Sequence, residues 1–177
     1  MNRVVSTKRL CRAGVIAALY VALTYAFMPF AFGPFQIRPA EALCILPLFF
    51  PEAIPALCVG CALSNLTSPF AFYDILFGSL TTLVAALGSY MVGRFFKKDL
   101  YKIVLGGIFP VALNALVIPL IIVFLCGGAD GYASTTIAYF TFVGSLFLTQ
   151  SVWVYALGSP LYFAVKRVRA QNIAFFL

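Results

Sequence analysis

Residues 103–126 of this sequence form a continuous apolar stretch that contains no charged residue. About 20 apolar residues in a helix span a hydrocarbon core of about 30 Å, so this stretch is long enough to cross a membrane. With 63% hydrophobic and 10% charged residues, the chain cannot cover a water-facing surface with polar side chains. The stretch also lacks the alternating polarity of a membrane β-barrel strand. The sequence therefore predicts an all-α, polytopic membrane protein.

Basic residues lie in short clusters that flank the apolar runs. Eleven of the twelve Lys and Arg residues belong to three clusters. These are Arg3, Lys8, Arg9 and Arg12; then Arg94, Lys97, Lys98 and Lys102; and finally Lys166, Arg167 and Arg169. The positive-inside rule places all three in the cytoplasm, so the chain crosses the membrane an even number of times between clusters. This division explains the net charge of +7 without a nucleic-acid partner.

The even number of crossings between the clusters, together with the apolar runs, predicts six transmembrane helices with both termini cytoplasmic. Residues 10–30 leave the cytoplasm and residues 72–95 return to it. Residues 39–66 form a hairpin of two short helices between them, with the turn at Pro51-Glu52. Residues 103–126 cross again, and a glycine-rich outer loop leads to residues 137–165, which return as one helix bent near Gly158 and Pro160. We expect a single domain over residues 1–177, in a bacterial cell membrane, with an uncleaved first helix.

The absence of histidine from the sequence counts against catalysis. Without it there is no imidazole base, no Ser-His-Asp arrangement and no histidine-ligated metal, so we predict neither an enzyme nor a cofactor or metal site. Cys58 and Cys61 form an isolated pair inside an apolar stretch. They are more simply packing residues than a redox or metal pair.

Small residues recur along the first helix at Ala13, Ala17, Ala18 and Ala22, beside Gly14. Such a stripe lets another helix approach closely. Packing within the chain and docking of a partner subunit are both compatible with this spacing.

Polar side chains in apolar stretches cost a few kcal/mol unless they are paired or face a cavity. Asp99 and Asp130 fall in loops and are expected to be solvated, and Glu52 is most simply a helix-start residue. Arg38, Glu41, Asn65 and Asp74 are all expected near the outer membrane face, where they would form a pocket open to the outside. The alternative is that each is a helix-end residue, with Arg38 paired to Glu41.

Two amides, Asn114 and Gln150, fall near the middle of long apolar runs. An amide at that depth has no water and needs a partner. Bonds between helices would satisfy them, and so would a ligand with several donors and acceptors.

Several segments along the chain form a recognisable series. They are AGVIAALY (13–20), GPFQIRPAEAL (33–43), FPEAIP (50–55), SNL (64–66) after Gly60, and DILFGSL (74–80) before Thr82. In this order and spacing they resemble the QueT-type queuosine-precursor transporters, which are substrate-binding S components of energy-coupling-factor importers. The resemblance implies a six-helix subunit that captures a 7-deazaguanine outside, as queuine or its aminomethyl or cyano precursor. It also implies association with a transmembrane coupling protein and two ATPases, for which the stripe on the first helix would be the docking surface.

The resemblance also supplies roles for the polar residues. Glu41 and Asp74 would accept the N–H groups of a guanine-like edge, and Asn65, Asn114, Gln150 and Arg38 would bind the remaining groups. The chain has no Gly-x-x-x-x-Gly-Lys-Ser/Thr loop, so ATP hydrolysis would come from the partners.

One position departs from the family pattern. Thr149-Gln150 stands where the family often has Gly-Glu. A neutral amide there suits a neutral ligand or a differently substituted base, and we expect queuine to be preferred to the aminomethyl precursor. An S component for another ring compound is the nearest alternative, followed by an ion-coupled carrier acting alone. A lone carrier would be expected to show internal repeats and intramembrane acids for coupling, and neither is clear here.

Overall fold

The computed structural model describes residues 7–32, 36–128 and 130–171, which form helices and turns without a β-strand. In chain order the helices are α1 (Thr7–Ala26), α2 (Met28–Ala31), a 3₁₀ helix (Pro39–Leu48), α3 (Ala53–Ser64), a 3₁₀ turn (Asn65–Thr67), α4 (Ala71–Phe95), α5 (Asp99–Leu125) and α6 (Thr135–Ala170). Within the described ranges, α1, α4, α5 and α6 are long and apolar enough to cross a membrane. The predicted all-helical fold is confirmed for the described residues, and these four helices are consistent with the predicted membrane protein.

The predicted hairpin of two short helices is also present. The 3₁₀ helix ends at Leu48 and α3 begins at Ala53, on either side of the Pro51-Glu52 turn. At about 2.0 Å per residue in a 3₁₀ helix and about 1.5 Å in an α-helix, these helices span about 20 Å and about 18 Å. Both are shorter than a hydrocarbon core. That the hairpin supplies two further crossings, and that both termini are cytoplasmic, stay predictions.

The 3₁₀ helix Pro39–Leu48 lies in the centre of the bundle, and all ten of its residues are buried. It packs against α1, α4, α5 and α6. Two glycines allow neighbouring helices to come close to its last residue, Leu48. A Cβ on Gly93 of α4 would lie 2.7 Å from the Leu48 carbonyl oxygen, and one on Gly106 of α5 would lie 2.9 Å from Leu48 Cδ2. This close approach fixes the central helix between α4 and α5.

The outward face of α4 is a continuous apolar stripe. Large exposed side chains recur along it at every third or fourth residue, which is the period of one face of a helix. They are Phe72, Leu76, Leu80, Val84, Leu87, Met91 and Phe95. A face of this kind is suited to lipid, in agreement with the membrane assignment.

Contacts among the basic clusters place all three at one end of the bundle, which we call the basic end. Asp99 at the start of α5 pairs with Lys166 of α6 and accepts a hydrogen bond from Tyr162 Oη at 2.7 Å. Arg12 of α1 and Arg169 of α6 both lie over the ring of Phe50. Asp99 is therefore held by two side chains, although its own side chain is 36% exposed, so the expectation that it is simply solvated was incomplete.

A second ion pair lies inside the basic end. Arg12 Nη2 is 2.7 Å from Glu52 Oε1, and the two side chains are 7% and 10% exposed. Glu52 does precede α3, but its carboxylate makes no capping bond to that helix. The interpretation of Glu52 as only a helix-start residue was incomplete, because its partner comes from α1. Removing one member of a buried pair leaves a buried charge without a partner, so this pair ties α1 to the hairpin.

The contact at Gly93 generates a stability prediction. We expect Gly93→Ala to lower stability by about 1–3 kcal/mol, because the new methyl group would overlap backbone atoms of Leu48. Gly144 of α6 is exposed with nothing within 4 Å of its Cβ position, so Gly144→Ala is the matched control. Thermal unfolding of the purified protein in detergent measures both. Equal unfolding midpoints for the two variants would contradict the packing described here.

Candidate functional site

A buried carboxylate, that of Glu41, lies at the centre of the bundle. Glu41 is in the first turn of the central 3₁₀ helix and is 2% exposed. Its Oε1 accepts a hydrogen bond from Tyr20 Oη of α1 at 2.7 Å. Its Oε2 accepts one from Asn114 Nδ2 of α5 at 3.2 Å and one from Cys44 Sγ at 3.3 Å. Three separate helices therefore meet at this carboxylate, and the structure brings the predicted residues Glu41 and Asn114 into contact.

Arg38 lies three residues before Glu41 but does not form an ion pair with it. Its Nε donates to the carbonyl oxygen of Ala31 at 2.9 Å, and its guanidinium lies 4.9 Å from the ring centroid of Phe32. Within the described ranges, the ion pairs are Arg12 with Glu52 and Lys166 with Asp99. Glu41 is thus held by neutral donors, and the alternative of a simple Arg38–Glu41 pair is excluded.

Asn65 and Asp74 form a second polar group. Asn65 caps the end of α3, is 1% exposed, and donates through Nδ2 to the Asp74 carbonyl oxygen at 2.8 Å and to Cys61 Sγ at 3.5 Å. Its Oδ1 is buried without a hydrogen-bond partner. The Asp74 carboxylate accepts a hydrogen bond from Ser68 Oγ. The structure therefore brings these two predicted residues together as well.

Asp74 also lines a cavity of about 160 Å³ at the end of the bundle opposite the basic end. The other residues that form its wall include the aromatic Phe32, Phe70 and Phe142, and the polar Gln36 and Ser68. Gln36 has a positive φ of 41°, which is uncommon for a residue with a side chain. A backbone of this kind is often found where the surrounding structure holds a functional side chain in place.

Gln150 lies on a buried ridge of α6 together with Leu146, Val154 and Gly158. It is 2% exposed, and its Oε1 has no hydrogen-bond partner. Gly158 faces the central 3₁₀ helix, since a Cβ there would lie 3.4 Å from the carbonyl oxygen of Ala42. Residues four apart share a helix face, so the ridge places Gln150 toward the same central helix. No hydrogen bond joins it to Glu41.

Each of the three longest helices contains a π-helical segment close to these residues. The segments are Asp74–Gly78 in α4, Ile121–Leu125 in α5 and Val152–Leu157 in α6. The wider i→i+5 turn shifts the face that a helix presents, and such segments are frequent at functional sites. Asp74 and Ile122 from the first two segments line the cavity, and Gln150 immediately precedes the third.

Comparison with known proteins gives the family. The model of the family described as QueT transporter matches residues 10–167. This chain belongs to the QueT transporter family. A queuosine precursor transporter QueT from Lactococcus lactis subsp. cremoris (strain MG1363) is 38% identical over 90 residues, which are 49% of this chain and 52% of that protein. The alignment thus spans about half the length of that curated relative. No solved structure matches the chain significantly.

The small-residue stripe of this QueT family member divides between two environments. Ala13 and Ala17 are half-buried against the core, and a Cβ on Gly60 of α3 would lie 3.2 Å from the Ala17 carbonyl oxygen. Ala18 and Ala22 are exposed. Packing within the chain therefore accounts for the first pair, whereas the second pair stays available on the surface.

The site residues predicted from sequence did not include Tyr20, Cys44, Gln36 or Ser68. Tyr20 had a usable signal, because Arg12, Ile16, Tyr20 and Thr24 recur at intervals of four and form the buried face of α1. A phenol on a buried face needs a partner for its hydroxyl. Nothing in the sequence around Gln36 and Ser68 indicated that these residues would share a cavity.

We expect Tyr20→Phe to lower stability by about 1–3 kcal/mol, because the buried Glu41 carboxylate would lose a donor. Tyr25→Phe is the control on the same helix, since the Tyr25 hydroxyl makes an exposed bond to the Leu63 carbonyl oxygen at 3.3 Å. Its effect should stay within about 0.5 kcal/mol. Thermal unfolding in detergent compares the two, and a Tyr20→Phe midpoint equal to that of Tyr25→Phe would contradict a structural role for the hydrogen bond.

Proposed function

We propose that this chain is the substrate-capturing S component of an energy-coupling-factor importer in a bacterial cell membrane. Its substrate would be a queuosine precursor or queuine, that is, a 7-deazaguanine captured from outside. A separate transmembrane coupling protein and two ATPase subunits would energise delivery. Membership of the QueT transporter family supports a transport role, and the name of the L. lactis relative, a queuosine precursor transporter, supports the substrate class.

The observation that carries the proposal is an excess of buried acceptor atoms. Asn65 Oδ1 and Gln150 Oε1 have no donors, and the Glu41 carboxylate is bonded by neutral groups alone. A buried acceptor without a partner is costly, so such atoms in a binding protein favour a ligand rich in donors. A deazaguanine edge presents adjacent N–H groups that a carboxylate accepts in pairs. Glu41, Asn65, Asn114 and Gln150 are therefore assigned to the base.

The cavity beside Asp74 suits the substituent of the base. Its wall combines one carboxylate with the rings of Phe32, Phe70 and Phe142. The carboxylate would accept hydrogen bonds from an amine or a hydroxyl group, while the rings would pack on apolar atoms. Arg38, stacked on Phe32, is assigned to the rim of this cavity.

The same proposal gives the chain an orientation and a docking surface. With the basic end in the cytoplasm, the cavity beside Asp74 faces outward. The exposed part of the small-residue stripe, Ala18 and Ala22, would receive the coupling protein, and Ala13 and Ala17 would support it from inside. Gly14 adds to the surface, because nothing lies within 4 Å of its Cβ position.

The first experiment is a thermal-shift panel on the purified protein with queuine, the aminomethyl and cyano precursors, and guanine as the control. A ligand that binds only the folded state raises the unfolding midpoint by mass action, so we expect a shift with at least one deazaguanine and none with guanine. No shift with any deazaguanine would overturn this substrate assignment. A shift with another ring compound would instead favour an S component of different specificity.

Glu41→Gln tests the assigned acceptor. We expect the dissociation constant of the bound deazaguanine to rise by about 10- to 100-fold, because a charged acceptor becomes an amide. Asp130 is an acid exposed in the loop before α6, so Asp130→Asn is the control and should leave affinity unchanged. Isothermal titration on folded variants measures both. Unchanged affinity in Glu41→Gln would remove Glu41 from the site.

Ala18→Trp tests the docking surface. A large side chain there would block close helix approach, so we expect at least a tenfold loss of co-purified coupling protein and ATPases, with ligand binding retained. Gly144→Trp adds the same side chain at an exposed position of α6 and should retain the partners. If the wild-type protein binds ligand but never co-purifies with ATPases, a carrier acting alone replaces the importer.

A further inference from the structure

A second concave surface lies on the other side of the bundle core, near the basic end. We call it the apolar groove, and its volume is about 180 Å³. Residues from α1, the central 3₁₀ helix, the Phe50 turn and α6 form its walls. They are Arg12, Val15, Ile16, Leu19, Leu43, Leu46, Phe50, Leu161 and Val165. Apart from Arg12 at one end, every one of these side chains is apolar, so the groove does not match the donors and acceptors of a polar solute.

The groove opens on the face of the protein that contacts the bilayer. Val15 and Leu19 on its edge are each 47% exposed, and both lie on a helix long enough to span a membrane. From Arg12 to Leu19 the groove follows α1 for about 10 Å at about 1.5 Å per residue. An apolar groove that extends along a membrane helix offers contact to part of an acyl chain.

Positive charge is concentrated at the end of the groove marked by Arg12. The guanidinium groups of Arg12 and Arg169 lie 4.9 Å and 5.5 Å from the ring centroid of Phe50, so one aromatic ring contacts two cations. Lys8 is exposed one helical turn before Arg12, on the same face of α1. The Glu52 carboxylate compensates the positive charge of Arg12, but Arg169 has no carboxylate partner in the described part of the chain.

Arg12 also retains an unused donor. Its side chain is 7% exposed, its Nη2 is paired with Glu52, and its buried Nε has no hydrogen-bond partner. Buried donors of this kind are rare unless a partner is supplied. Among the described residues, Arg169 donates a long bond, 3.4 Å, to the Phe49 carbonyl oxygen. Arg169, which is half-buried, thus leaves positive charge and donor capacity at this end of the groove, and Arg12 adds positive charge from the buried side. A charged donor of this kind favours a phosphate.

We propose that the apolar groove binds one anionic phospholipid. The acyl chain lies along Val15, Leu19 and Leu161, and the phosphate lies beside Arg169 at the basic end. Anionic headgroups are attracted to basic residues at a membrane surface, and the cations beside the groove lie at its end, where a headgroup would be. The site is separate from the cavity beside Asp74, so its occupancy does not depend on the proposed substrate.

The test compares two lipids with identical acyl chains, phosphatidylglycerol and phosphatidylcholine, added to the protein in a neutral detergent. We expect phosphatidylglycerol at tenfold excess over its dissociation constant to raise the unfolding midpoint by about 3–6 °C, and phosphatidylcholine to have no saturable effect. Native mass spectrometry counts the retained lipid, with one phosphatidylglycerol expected per protein. Equal shifts with the two lipids would overturn the proposal.

Two pairs of variants test the contribution of the positive charge and that of the apolar groove separately. Arg169→Gln should abolish the preference for phosphatidylglycerol, whereas Lys97→Gln, which removes an exposed charge beyond the end of α4, should keep it. Val15→Trp should fill the groove and abolish the shift, whereas Val84→Trp on the exposed face of α4 should preserve it. A phosphatidylglycerol shift that survives both Arg169→Gln and Val15→Trp would place the lipid elsewhere and refute this site.

Discussion

Hydrocarbon offers no hydrogen bonds, so a polar group inside a membrane protein must find its partner within the protein or in a ligand. In this QueT family member the requirement is concentrated at the central 3₁₀ helix, whose ten residues are all buried. Its Glu41 carboxylate receives donors from α1 and α5, at Tyr20 and Asn114. These bonds cross 21 and 73 residues of sequence, and they hold the long helices around the short one.

The same requirement explains why the surrounding helices are irregular. Regular α-helices would direct their side chains along fixed faces, but α4, α5 and α6 each contain a π-helical segment that shifts this direction. Asp74 and Ile122, which lie in two of these segments, both line the cavity. The polar residues of the candidate site are thus set on rigid helices, which suits a protein that binds a small molecule with defined geometry.

The sequence predicted the features that depend on local pattern. Long apolar runs predicted the membrane helices, and Pro51-Glu52 predicted the break in the hairpin. Polar side chains within apolar stretches indicated Glu41 and Asn114, which are in contact. Long-range partners could not be read in this way. Arg12 belongs to a basic cluster by position, yet it folds inward to pair with Glu52, and the π-helical segments leave no composition signal. The sequence marks Gln150 as an unusual polar residue in an apolar run. The direction of its side chain toward the central helix, however, depends on the π-helical segment Val152–Leu157 that follows it.

The close contacts around Leu48 have an evolutionary consequence. At position 93 an added Cβ would meet backbone atoms of Leu48, which are present whatever residue occupies position 48, so glycine is required there. At position 106 the added Cβ would meet the Leu48 side chain, 2.9 Å away at Cδ2. A smaller residue at 48 would therefore permit a larger one at 106. Among homologous sequences, positions 48 and 106 are free to change as a compensating pair, while position 93 has no such partner and is expected to remain invariant.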